Sequence, residues 1–198
     1  MVINIYTVNK LYYDYDSLEP YIDTHTLGLH YNKHYLSYLN KLNSLLVKNN
    51  YDFRYTLNEL VFHINEFNES DREDILFNLG GVINHKIISP NREKPNKLLS
   101  ALINNFYGDF DNFKEQFKRK ALSLKGAGYT YLVLNNSKLD IVNLKNQVNP
   151  YSYNYSPLLC IDMWEHSYYI NYESYKEIYI NNFFEIIDFS EANKLFSM

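Results

Sequence analysis

An acid stands at the end of an apolar run. Leu158-Leu159-Cys160-Ile161 reads as a short buried strand, and the next residue is Asp162. A buried, unpartnered carboxylate costs several kcal/mol, so whatever fold this chain adopts must bring partners to Asp162. His166 follows four residues later, with the only tryptophan, Trp164, between them. The two side chains can converge on one centre if the backbone turns, and a divalent or trivalent metal is one partner that satisfies such an acid.

Hydrophobic period divides the rest of the chain. Residues 1–22 read as an extended arm closed by Leu18-Glu19-Pro20, after which Asp23 or Thr24 is placed to cap a helix. Apolar residues recur at spacings of three and four from 26 to 47, which predicts that helix. A connection with a short helix is expected over 51–67, and a second long helix over 71–88. The polar stretch 89–96 holds two prolines and predicts a boundary. Helices are expected at 98–106 and 111–124, until Gly126-Ala127-Gly128 breaks the period. The apolar runs 129–134 and 139–144 flank Asn135-Asn136-Ser137-Lys138 and predict a β-hairpin. Residues 158–162 would add a third strand and 172–188 a final helical region. The class is α+β: a helical N-terminal part, 1–88, precedes an α+β C-terminal part, 89–198.

Composition removes some functions. The net charge is −4 with no long like-charged block, which argues against a nucleic-acid binder. No apolar run approaches the ~20 residues of a membrane span. No basic segment followed by an apolar core opens the chain, so a cytoplasmic location is expected. The single cysteine, Cys160, excludes an internal disulfide and reads as a small buried core residue. Tyrosine, with 21 copies, is expected at half-buried positions and interfaces.

Six histidines are candidates for the partners of Asp162. His30, His34 and Tyr38 are spaced by four, and each such step rotates only about 40° around a helix, so they share a face. That face is either a solvent-side polar stripe or one edge of a site. His85 follows Gly80-Gly81. Each glycine costs a helix about 1 kcal/mol relative to alanine, so another backbone or a ligand is expected to pack closely there. By itself His85 reads as a satisfied core histidine. His25 and His63 read as structural or exposed.

Taken together, these segments resemble one family. Asp162-Met163-Trp164-Glu165-His166-Ser167-Tyr168-Tyr169 resembles the Asp-x-Trp-Glu-His-x-Tyr-Tyr signature of the iron/manganese superoxide dismutases. His30-Tyr31-Asn32-Lys33-His34 resembles its first ligand helix, and Gly80-Gly81-Val82-Ile83-Asn84-His85 its second ligand segment. The resemblance implies an N-terminal α-helical hairpin domain and a C-terminal α/β domain with a three-stranded antiparallel sheet. It implies a manganese ion, or iron, held by His30, His85, Asp162 and His166. Tyr38 and His34 would flank the substrate channel, Gln147 would hydrogen-bond the solvent ligand of the metal, and Trp164 would wall the site. Glu165 and Tyr169 would reach a second subunit in a homodimer or tetramer. In the iron-type branch the glutamine comes from the second ligand helix, where this chain has Gly81, so the pattern resembles the manganese type. The chain departs from the family at several places. An aromatic pair is absent after His85, tyrosines stand at 129 and 131 where tryptophans are common, and Lys176 stands in place of an arginine.

The implied reaction is disproportionation of superoxide to dioxygen and hydrogen peroxide by one-electron cycling of the metal. Zinc has no accessible redox change, whereas nitrogen and carboxylate ligands suit manganese and iron. Because the protein is net negative, an anionic substrate needs a local positive funnel, with Lys33 and Lys176 as expected contributors. Two rival readings stand beside this one. The first is a catalytically impaired metal-binding structural or interaction protein of the same fold. The second is a non-haem iron oxygenase, which expects two histidines and one carboxylate rather than three histidines.

Overall fold

A computed structural model describes residues 5–196 apart from 9, 12 and 88–92. The first helical path starts at Asp23, whose side chain accepts from the Thr26 N–H at 2.6 Å. It comprises α1 (Thr24–Leu29), a π-helical segment (His30–Tyr35) and α2 (Leu36–Lys48). The Leu36 N–H reaches the Tyr31 carbonyl, the longer step that defines the π turn. The expected single α-helix is therefore interrupted where its first two candidate histidines sit. The arm departs from expectation too, since residues 15–20 form turns rather than an extended run. Its Tyr6 backbone pairs with the Asn43 side chain on α2 through both N–H and carbonyl.

The chain returns along α4 (Glu69–Ile87) after α3 (Leu57–Leu60), which a Thr56–Glu59 capping box starts, and a 3-10 turn (Val61–Glu66). Leu39, Leu42 and Leu46 of α2 pack with Ile75, Leu79, Val82 and Ile83 of α4 in one buried cluster. Burying each such side chain contributes about 1.5–3 kcal/mol. This packing makes the helical hairpin. At its far end Asp71 of α4 accepts from Lys48 Nζ at 2.7 Å and Asn49 Nδ2 at 2.9 Å.

Residues 89–92 of the expected boundary at 89–96 lie outside the described residues. After it come α5 (Lys97–Tyr107), capped by Asn96, and α6 (Phe110–Leu122), capped by Asp109. Three antiparallel strands follow: β1 (Gly128–Asn135), β2 (Lys138–Lys145) and β3 (Ser156–Asp162), in the order β2-β1-β3. The hairpin loop is only two residues, tighter than the polar stretch suggested. Asn136 and Ser137 both have positive φ, 46° and 65°, which matches a turn that follows the strand twist. β3 begins two residues earlier than expected and includes Pro157, tolerated because β3 is an edge strand paired to β1 alone.

One sheet face, with Leu132, Leu139, Ile141, Leu159 and Ile161, packs against Phe113, Phe117, Ile180 and Phe189. The other carries Tyr129, Tyr131, Val133 and Cys160. The expected helical region at 172–188 holds one helix, α8 (Lys176–Phe183), while α7 (Glu165–Tyr172) precedes it and α9 (Ser190–Leu195) follows it. Glu173, at φ 47°, separates the first two. α7 gave no helical period because Ser167 and Tyr168 are buried while Tyr169 and Ile170 face out. Among the described residues no helix is long and apolar enough to cross a membrane.

Candidate metal centre

Four elements meet at Asp162. The π segment carries His30, the last turn of α4 carries His85, β3 ends at Asp162 and α7 opens with His166. One ligand atom from each lies within 4.8 Å of all the others. Ligands around one ion bound at about 2.1 Å stand on the order of 3–4 Å apart, so the spread suits a single metal. Asp162 Oδ2 lies 3.2 Å from His30 Nε2 and 3.3 Å from His166 Nε2.

The backbone turn that joins Asp162 to His166 is held locally. Asp162 Oδ1 accepts from the Trp164 N–H at 2.8 Å, and the Ser167 hydroxyl donates to the Trp164 carbonyl at 2.6 Å. Tyr179 on α8 donates to the Asp162 carbonyl at 2.9 Å. These contacts supply the convergence that spacing alone left open.

Two observations show that the donors fit a cation. First, His85 Nδ1 lies 2.7 Å from the Gly81 carbonyl. A carbonyl only accepts, so Nδ1 carries the proton and the Nε2 lone pair is directed into the cluster. Second, the buried Nε2 atoms of His85 and His166 have no hydrogen-bond partner. The 3.3 Å approach of His166 to Asp162 is close but poorly aligned. Each unpaired buried polar atom costs about 1–3 kcal/mol. A bound metal would take up both lone pairs and the carboxylate charge.

Burial acts to raise the Asp162 pKa, but His166 and His30 outweigh it and hold the carboxyl well below its ordinary range. Burial, together with the facing His30, pulls His85 down to about 3. Burial, followed by the neighbouring His166 and His30, pulls His34 down to about 4. Both imidazoles are therefore neutral at ordinary pH, the form a ligand or a stacked neighbour requires.

Around the cluster, His34 stacks on His166 at 3.9 Å and 14° rather than joining the four. The shared face of His30 and His34 is thus an edge of the site and not a solvent stripe. Tyr38 lies 5.3 Å from the His85 ring. Trp164 lies 6.0 Å from the His166 ring. Gln147, almost fully buried, donates to the Tyr38 hydroxyl at 3.0 Å. Its Oε1 accepts from the Tyr129 hydroxyl at 3.0 Å and from Asn84 Nδ2 at 3.3 Å. Sequence reasoning missed Asn84 and the Tyr129 hydroxyl as partners of Gln147. The sequence signal was a polar residue beside a buried histidine, and a tyrosine where a tryptophan is common.

The paired glycines have the expected cause. A Cβ on Gly80 would stand 1.8 Å from the Gln147 carbonyl oxygen, and one on Gly81 2.5 Å from the Tyr38 ring. Glu165 and Tyr169 are exposed on α7, and His25 and His63 lie outside the cluster. Lys33 is exposed beside His34, whereas the Lys176 ammonium sits over the Tyr168 ring at 5.4 Å.

Two family models match the chain in order. The α-hairpin domain of iron/manganese superoxide dismutases matches residues 5–90, and the C-terminal domain of the same enzymes matches 95–195. A Listeria innocua protein named as a manganese superoxide dismutase is 38% identical over 196 residues, covering 96% of this chain and 97% of its own length. A Staphylococcus aureus protein named superoxide dismutase 2, manganese/iron, is 36% identical over 191 residues, covering 94% and 95%. With four donors that could hold one metal ion and both domain matches spanning nearly its whole length, this chain belongs to the iron/manganese superoxide dismutase family.

Proposed function

We propose that the protein is a superoxide dismutase, converting two superoxide anions and two protons to dioxygen and hydrogen peroxide. The observation that carries this reading is the convergence of three imidazoles and one buried carboxylate on a single point. His30, His85, Asp162 and His166 would hold manganese or iron, which supplies the one-electron redox change. The position of Gln147 and the manganese name of the Listeria innocua relative support manganese as the preferred ion, and the manganese/iron name of the Staphylococcus aureus relative keeps iron as the second choice.

The chain's own residues supply the rest. Gln147 donates to the Tyr38 oxygen, so the Tyr38 hydroxyl keeps its own proton for donation into the site. Burial raises the Tyr38 pKa, with Asp162 adding to the effect, which keeps that proton in place. Tyr129 and Asn84 fix the far end of the Gln147 amide. Neutral His34 covers one face of His166, and Trp164 stands beside the same ring. Lys33 provides positive charge at the His34 edge.

A homodimer through α7 completes the reading. Glu165 is exposed there, and Tyr169, Ile170, Tyr175 and Ile178 are each at least half exposed, which suits burial against a second copy. We place the division between domains at residue 88, close to residue 90 where the N-terminal match ends, and the protein in the cytoplasm.

Protein loaded with manganese or iron is expected to disproportionate superoxide. His85→Ala is expected to abolish metal retention, measured by metal analysis after desalting. A fully metallated but inert protein would overturn the enzymatic reading and leave the catalytically impaired, metal-binding alternative.

A further inference from the structure

Tyr131 and Cys160 are two buried reactive groups that the proposed reaction does not use. They are directly opposite each other in the β1–β3 ladder. The next pair along the same sheet face is Tyr129 opposite Asp162. Directly opposed side chains have Cβ atoms about 4.5–5.5 Å apart, close enough for an aromatic ring to touch a sulfur. Both residues are buried, Tyr131 fully and Cys160 at 2% exposure, in a cluster with Tyr129 and Val133.

The Tyr131 hydroxyl is a buried polar atom without an aligned hydrogen bond. The polar group it faces is the Cys160 thiol. A thiol is a weak partner for a buried hydroxyl, and a valine and phenylalanine pair would fill such a site without leaving a polar atom so poorly matched. The pair also lies near the metal centre. The Tyr131 ring centroid is 6.1 Å from that of Tyr129, which is 6.5 Å from the His85 ring.

We propose that Tyr131 and Cys160 are a modification site, at which peroxide converts the pair to a thioether between Sγ and the ring carbon next to the hydroxyl. One carbon–sulfur bond forms, and one aryl C–H and one S–H bond are lost. The two electrons and two protons lost reduce one hydrogen peroxide to two waters; manganese or iron held by the four donors would accept the electrons, with the Tyr129 ring lying between the pair and His85. Burial closes Cys160 to the solvent-borne route, in which an exposed thiolate meets peroxide and gains oxygen. The product would be a covalent staple between the central strand and the strand that ends in Asp162.

The inference rests on the dismutase reading only for the natural source of peroxide, so the test adds peroxide directly. Manganese- or iron-loaded protein is treated with hydrogen peroxide, denatured, digested and weighed by mass spectrometry. The expected result is one peptide joining the Tyr131 and Cys160 segments, two hydrogens lighter than their sum, with matching loss of titratable thiol. Tyr131→Phe and Cys160→Ala are expected to abolish it, and metal-free protein to form none. Two separate peptides, or Cys160 carrying added oxygen, would overturn the proposal, as would the same yield without metal. Superoxide disproportionation measured on the same samples separates the two readings: an active, unlinked protein removes this one alone, and an inert, linked protein removes only the other.

Discussion

A methyl group at Gly80 would meet the Gln147 carbonyl oxygen at 1.8 Å, a collision with backbone that no rotamer relieves. Gly80→Ala is therefore expected to lower stability by about 1–3 kcal/mol, read as a reduced denaturation midpoint. At Gly81 the obstacle is a side chain, the Tyr38 ring at 2.5 Å, which must swing aside. Gly81→Ala is expected to keep the fold and lower kcat, because Tyr38 leaves its Gln147 partner. Tyr129→Phe removes one of two donors to Gln147 Oε1. A loss of about 1 kcal/mol in stability is expected, with a several-fold fall in kcat and retained metal, measured by denaturant unfolding and steady-state assay. The sequence pointed to Gly80 and Gly81 through the rule that helix glycines need a reason. It did not reveal which groups approach them, because Gln147 and Tyr38 arrive from distant parts of the chain.

Among the elements, the helical hairpin is locked at its connected end by Asp71, where α2 finishes and α4 begins. Hydrogen bonds from Lys48 and Asn49 lower its carboxyl below the ordinary 3.8. A carboxyl depressed in the folded state stabilises the protein above its unfolded pKa, and that contribution is lost as pH falls through the folded value. Asp71→Asn is thus expected to lower stability at neutral pH. Its deficit relative to the natural protein should narrow as the pH falls below 3.8 and through the folded value, measured by thermal melts across pH. Lys48 is largely exposed, so solvent screens its share of the effect. Element types were legible where period and turn chemistry agreed, as in α2, α4 and the β1–β2 hairpin. The π turn at His30–Tyr35 was not, since apolar spacing reads the same through one inserted residue. The helix at Glu165 was also hidden, because its buried residues follow the site rather than a stripe.

For the whole molecule, the centre ties the two parts of the chain together. His30 and His85 come from the helical hairpin, and Asp162 and His166 from the strand and helix of the C-terminal part. Metal bound to the folded form alone stabilises it by mass action. Stripping the metal with a chelator at low pH and returning to neutral pH is expected to lower Tm by several degrees, and restoring manganese or iron to recover it. A Tm unmoved by metal would mean that the four donors do not share one ion.

Residue chemistry settled early what this chain had to provide. An acid after four apolar residues demanded partners, and the Asp162-to-His166 signature indicated the kind. Which imidazoles answer that demand was decided only by the packed fold. Donation is short-ranged, so a histidine counts as a partner only when its lone pair arrives within a few ångströms of the acid. His34, one turn from His30 in sequence, stacks above the cluster, while His85, 77 residues before Asp162, points into it.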